Sequence, residues 1–185
     1  MTIIAVVEAI LFLLIGVIVI FKDRKNFLYI LFFVQCLLLA GFLFSFSVFF
    51  SSTQAEITTV ADRVFLFFGV NSIASLTAFA LVFKGEFATF DKRVVPLFVV
   101  SLAIGLLSLL TDWDIKSASF VSGKLVEEKG FFDTVWNIAV VLYGILMLGF
   151  FIHNYIKSKQ VRFKRQLRII FISLGLGVLA AVIFS

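Results

Sequence analysis

FLYILFFVQCLLLAGFLFSFSVFF, residues 27–50, decides the fold. It carries no charge, and its hydrogen-bonding side chains are few: Tyr29, Gln35, Ser45 and Ser47, beside the thiol of Cys36. A helix on a soluble protein needs a solvated polar face, and this run has none. At 1.5 Å per residue it would be about 36 Å long, enough for a hydrocarbon core of roughly 30 Å. Inside lipid every backbone N–H must find its partner within its own segment, so the run is read as a membrane-crossing helix.

Five other stretches read the same way. Residues 3–21 are apolar except for Glu8, residues 64–83 and 94–111 are uncharged, and residues 135–156 carry only His153. Residues 169–184 form a sixth run, slightly short at about 24 Å. The whole chain agrees: of 185 residues, 62% are hydrophobic and 15% charged, with a mean hydropathy of +1.17. Too few charges remain to solvate the surface of a soluble domain. The predicted fold is an all-α membrane protein, an antiparallel six-helix transmembrane bundle forming one domain over residues 1–185.

Charge sets the expected orientation. Twelve lysines and arginines lie in segments 22–26, 84–93 and 157–168, against four, Arg63, Lys116, Lys124 and Lys129, in the alternate connections. The positive-inside rule then puts the N-terminus outside and the basic loops in the cytoplasm of a prokaryotic cell, the chain being multi-pass in the plasma membrane. Lys157, Lys159, Arg162, Lys164, Arg165 and Arg168 are the densest basic group, expected to fix topology and to meet lipid. The first run is not read as a cleaved signal peptide, because its basic residues follow it instead of preceding it. A net charge of +5 does not point to nucleic acid, since the charges cluster between apolar runs.

The longest stretch between runs is 112–134. There Ala118–Val121 and Lys124–Val126 flank Ser122-Gly123, which predicts a small β-hairpin on the outer side. Asp133 or Thr134 is expected to cap the next helix.

Candidate ligand-binding residues are the polar ones within or beside the runs. Glu8 is the lone carboxylate inside a run, a costly placement that is usually functional. Its nearness to the helix start equally allows contact with interfacial water. Gln35, Asn71 and Ser75 would face a cavity or hold helices together, and their amides need several partners. Trp136 suits an aromatic belt, with Asn137 at the mouth of a pocket. Tyr143 is deeper and its hydroxyl needs a partner. Ser101, Gly105 and Ser108 form one small-residue stripe, extended by Asp112. Ser173, Gly177 and Ala181 form another, and both are expected to pack helices closely.

No G-x-S-x-G, H-E-x-x-H, Walker A or Rossmann glycine fingerprint occurs, so enzyme activity is not expected in this chain. One histidine leaves no His-rich metal site, and one cysteine no internal disulfide. No cofactor is expected.

Three features carry a family resemblance: an outward-starting helix almost at the N-terminus, the long outer loop ending in Gly130-Phe131-Phe132, and Lys164-Arg165-Gln166-Leu167-Arg168 opening the sixth run. In these the chain resembles the N-terminal seven-helix sensor region of histidine kinases. The resemblance implies a receptor domain in two-component signal transduction. Such a domain binds a small signal on the outer side and passes helix rearrangement to a cytoplasmic output domain. The seventh helix and any kinase are missing here, so the expectation is a truncated sensor region. Expected partners are the bilayer, a small-molecule signal and a second copy of the chain in a homodimer. Two other classes fit the same layout: a six-helix substrate-binding component of a vitamin-type transporter, and a membrane scaffold subunit.

Overall fold

A computed structural model describes residues 2–83, 90–121, 124–158, 161, 164–165 and 168–169. Its elements are α1 (Thr2–Lys22), α2 (Phe27–Ser51), α3 (Ala55–Val82), α4 (Val94–Leu110), β1 (Ile115–Val121), β2 (Lys124–Lys129) and α5 (Asp133–Lys157). The protein is mostly helical, and α1, α2, α3 and α5 are each long and apolar enough to cross a membrane. Helix α4, with 17 residues, is shorter. The sixth run, 169–184, lies outside the described residues apart from Ile169, and the six-helix expectation stays an expectation there.

Local chemistry explains the helix ends. Asn26 caps α2, its Oδ1 accepting from the Leu28 N–H at 3.1 Å. Pro96 is tolerated in the first turn of α4, where its missing N–H would have no intrahelical partner. Phe132, not Asp133 or Thr134, is the N-cap of α5, and no side chain caps it. Asp133 instead sits in the first turn, a favourable place for a negative charge on the helix dipole, and pairs with Lys129 at 3.1 Å.

The largest departure from the sequence reading is α3. It begins at Ala55, not at residue 64, and runs for 28 residues, about 42 Å. The charges of Asp62 and Arg63 end the apolar run but not the helix. Residues 55–63 extend beyond the apolar part and form the seat for the β-hairpin.

Contacts give the helix directions. Gln35 meets Ser72 and Phe49 packs with Ala61, so α2 and α3 are antiparallel. Asn71 meets Ser101 while Gly105 lies against Phe67, so α3 and α4 are antiparallel too. Trp136 reaches Leu66 and Asn154 reaches Ala80, so α5 runs parallel to α3. Helix α1 packs on α2, whereas α3 packs on α2, α4, α5 and β1. Hence α3 is the hub of the described fold. The outer flank of α1 stays exposed through Ile4, Leu11 and Ile18, as lipid-facing surface requires.

The predicted hairpin is present and longer than its sequence signal. Strands β1 and β2 pair antiparallel from Ile115↔Lys129 to Val121↔Lys124, with an irregularity between Ile115 and Ser117. Its turn, Ser122-Gly123, lies outside the described residues. At its base, a Cβ on Gly130 would collide with the Trp113 carbonyl. Only glycine lets the two strand ends come this close.

The hairpin marks one end of the bundle. Lys22, Arg24, Lys25, Lys92, Arg93 and Lys157 all belong to the opposite end.

Candidate functional site

Two polar layers are built on α3. The first is a seam through the bundle. Gln35 Nε2 donates to Ser72 Oγ at 2.7 Å. Ser101 Oγ donates to Asn71 Oδ1 at 3.0 Å, while Asn71 Nδ2 donates to the Phe67 carbonyl at 2.8 Å. Thr77 Oγ1 bonds both the Ile73 carbonyl of its own helix and the Tyr143 carbonyl of α5, at 2.8 and 3.0 Å. Tyr143 Oη donates to the Leu97 carbonyl at 2.7 Å. Asn154 Nδ2 reaches the Ala80 and Phe83 carbonyls at 2.8 and 3.1 Å, closing the end of α3. In a medium without water these bonds substitute for solvent and fix helix register. Gln35 Oε1 and Ser75 Oγ are buried with no protein partner.

The second layer lies under the hairpin. Arg63 donates from Nε and Nη2 to the Ile115 carbonyl at 3.0 and 2.7 Å. Thr59 Oγ1 accepts from the Ala118 N–H at 2.9 Å. Phe49, Ala61, Ile115 and Ala118 pack as a small apolar core beside these bonds. Two carboxylates are enclosed in this second layer. Asp62 is 6% exposed and Asp114 fully buried. Ser108 Oγ donates to Asp114 Oδ2 at 2.6 Å, but Asp114 Oδ1 and Asp62 Oδ2 have no protein partner. Burial raises the pKa of both. Asp62, which lies before the apolar run of α3, is pushed up to about 7, first by desolvation and then by the charges of Glu127 and Asp114, with Lys129 opposing. For Asp114 the Ser108 hydrogen bond works against desolvation.

The sequence candidates fall unevenly on this plan. Gln35, Asn71, Ser75 and Tyr143 are buried in the seam, the bonded groups holding neighbouring helices. Trp136 is half-buried, its indole N–H donating to the Leu66 carbonyl at 3.2 Å. Asn137 is exposed and bonds the Asp133 carbonyl of its own helix at 2.8 Å. Glu8 is also exposed; Ala5, Ala9 and Gly16 form the α1 face that meets α2, and Glu8 lies to one side of it. Ser101, Gly105 and Ser108 are buried, and a Cβ on Gly105 would come within 2.7 Å of Asn71 Nδ2. Asp112, added to that stripe from its spacing, is exposed.

Ser173, Gly177, Ala181, Lys159 and Arg162 lie outside the described residues. Lys157, Arg165 and Arg168 are exposed, and Lys164 lies 5.5 Å from the Tyr155 ring centroid. Asp62, Asp114, Thr59 and Arg63 are not among the candidates that the sequence singles out. Ser108, four residues before Asp112, marked the right face of α4, but the carboxylate it holds comes from the following turn.

Among the described residues no cluster of three or more potential ligands would hold a metal ion. The fold is consistent with a multi-pass helical membrane protein in which polar side chains tie α2, α4 and α5 to α3. Comparison with family models, curated proteins and solved structures finds no match to this chain.

Proposed function

We propose that this chain is the membrane-embedded receptor domain of a signal-transduction protein, of the kind that precedes a histidine kinase. Its N-terminus and hairpin face outward and its basic end lies in the cytoplasm of a prokaryotic cell. The observation that carries this reading is the continuity of α3. One helix holds the hairpin at its first turns through Thr59 and Arg63, and is held by Asn154 of α5 at its last. A shift of the hairpin is therefore delivered along a rigid rod to the far end, and from there to α5, the element that leads toward the basic segment.

Two open grooves flank this rod. One of about 420 Å³ lies between α2 and α3, lined by Phe44, Ser45, Val48, Glu56 and Val60. Another of about 420 Å³ lies between α4 and α5, lined by Leu97, Val100, Ile138 and Leu142. Both suit an apolar or amphipathic signal arriving from the bilayer. A transporter subunit would need its polar groups free for substrate, whereas Asn71 and Tyr143 have theirs engaged by neighbouring helices.

The test uses the full chain in lipid nanodiscs, with Cys36→Ser as background and a reporter cysteine at Ile156. Releasing the hairpin by Thr59→Val with Arg63→Gln is expected to change maleimide reactivity at residue 156 several-fold, with helicity retained. Unchanged reactivity at 156 despite a released hairpin would remove the receptor reading.

A further inference from the structure

From the enclosed carboxylates we infer that the hairpin is a proton-controlled latch, with Asp62 as the proton-binding group. The inference deepens the receptor reading by naming a signal, and rests on that reading only for the output.

Asp62 on α3 and Asp114, the residue before β1, are both buried, and the charge of Asp114 acts on Asp62. Each has a buried carboxylate oxygen without a protein partner. Arg63, the neighbouring cation, has Nε and Nη2 turned to the Ile115 carbonyl. Lys129 pairs with Asp133, and Lys116 with Glu128 at 3.2 Å. Glu127 of β2 adds negative charge near Asp62. Two enclosed anions beside a third carboxylate repel one another and lack solvation, so a closed hairpin favours one proton in the pair. Asp114 has a hydroxyl donor in Ser108 that stabilises its charged form. Asp62 Oδ2 has no such donor, and Asp62 takes the proton. The proton comes from water on the hairpin side and returns there when the hairpin lifts.

The direction follows from linkage. Closed, Asp62 titrates near 7; with the hairpin lifted and the carboxyl in water it titrates near the ordinary value of about 4. Between these values the closed state holds more protons than the open one. Closure is therefore strongest on the acid side and weakens as pH rises, by at most about tenfold in the opening equilibrium per pH unit. Above about 7 both states are ionised and the dependence levels off.

Hydrogen exchange of amides 115–121 and 124–129 tests this on the full chain in nanodiscs, between pH 5 and pH 8, after correction for intrinsic exchange rates. Wild type is expected to lose protection across that interval while α2 and α3 keep theirs. Asp62→Asn, which stays neutral, is expected to hold protection flat. Glu127→Gln, at a half-buried position, is expected to move the midpoint to lower pH by removing a like charge. A flat wild-type profile overturns the latch, and so does a full pH step retained in Asp62→Asn. If Asp62→Asn fails to fold, the Glu127→Gln midpoint decides: an unmoved midpoint overturns the assignment. A hairpin that titrates as expected while residue 156 stays silent upholds the latch and removes the receptor reading alone.

Discussion

Asn154 shows how one side chain can set the geometry of a membrane helix end. Its amide nitrogen serves the carbonyls of Ala80 and Phe83, at the end of a helix, where intrahelical donors run out. Side-chain hydrogen bonds between membrane helices average only about 0.6 kcal/mol, because the separated helices find other partners. A buried helix terminus has fewer alternatives, and an orphaned carbonyl there costs about 1–3 kcal/mol. Asn154→Ala is therefore expected to lower stability by about 1–2 kcal/mol, read from unfolding in mixed micelles. Asn154→Asp should not restore it, since an ionised carboxylate offers no donor. Tyr143 and Asn71 follow the same logic. Their polarity was visible in the sequence, but whether it served a ligand or a neighbouring helix depended on which carbonyls the fold brings near.

At the scale of elements, hydropathy located the apolar part of each described helix and lost the parts where charge and helix coexist. Residues 3–21 and 27–50 agree with α1 and α2 to within a residue at each end. The start of α3 was misplaced by nine residues because Asp62 and Arg63 read as loop charges. They are helical because the hairpin covers them, and the hairpin comes from sequence some fifty residues away. No local pattern carries that information. The hairpin itself was legible from Ser122-Gly123 between strand-forming residues, and Gly130 from its place before the next helix. Why Gly130 is glycine emerges only from the close passage of the Trp113 carbonyl. Gly130→Ala is expected to displace β2 from β1 at a cost of roughly 2–4 kcal/mol to the hairpin. Faster amide exchange at 115–121, with the exchange of α2 unchanged, is the reading that checks it.

On the scale of the whole molecule, charge and architecture point the same way. The hairpin end carries Asp62, Asp114, Glu127, Glu128 and Asp133, and the opposite end Lys22, Arg24, Lys25, Lys92, Arg93 and Lys157. In the orientation proposed above, with lysine and arginine retained on the inner side, the hairpin lies outside and its enclosed carboxylates exchange protons with the external medium. Reversing that orientation would make the same latch answer to cytoplasmic pH, which varies far less, so the direction of insertion decides whether the device is useful. Single cysteines in a Cys36→Ser background separate the two cases. Ser117→Cys, on the exposed face of β1, is expected to react with a membrane-impermeant maleimide on intact cells. Lys25→Cys, in the α1–α2 connection, is expected to react only after permeabilisation. The opposite pattern would turn the molecule over in its membrane and leave the external medium with no access to Asp62.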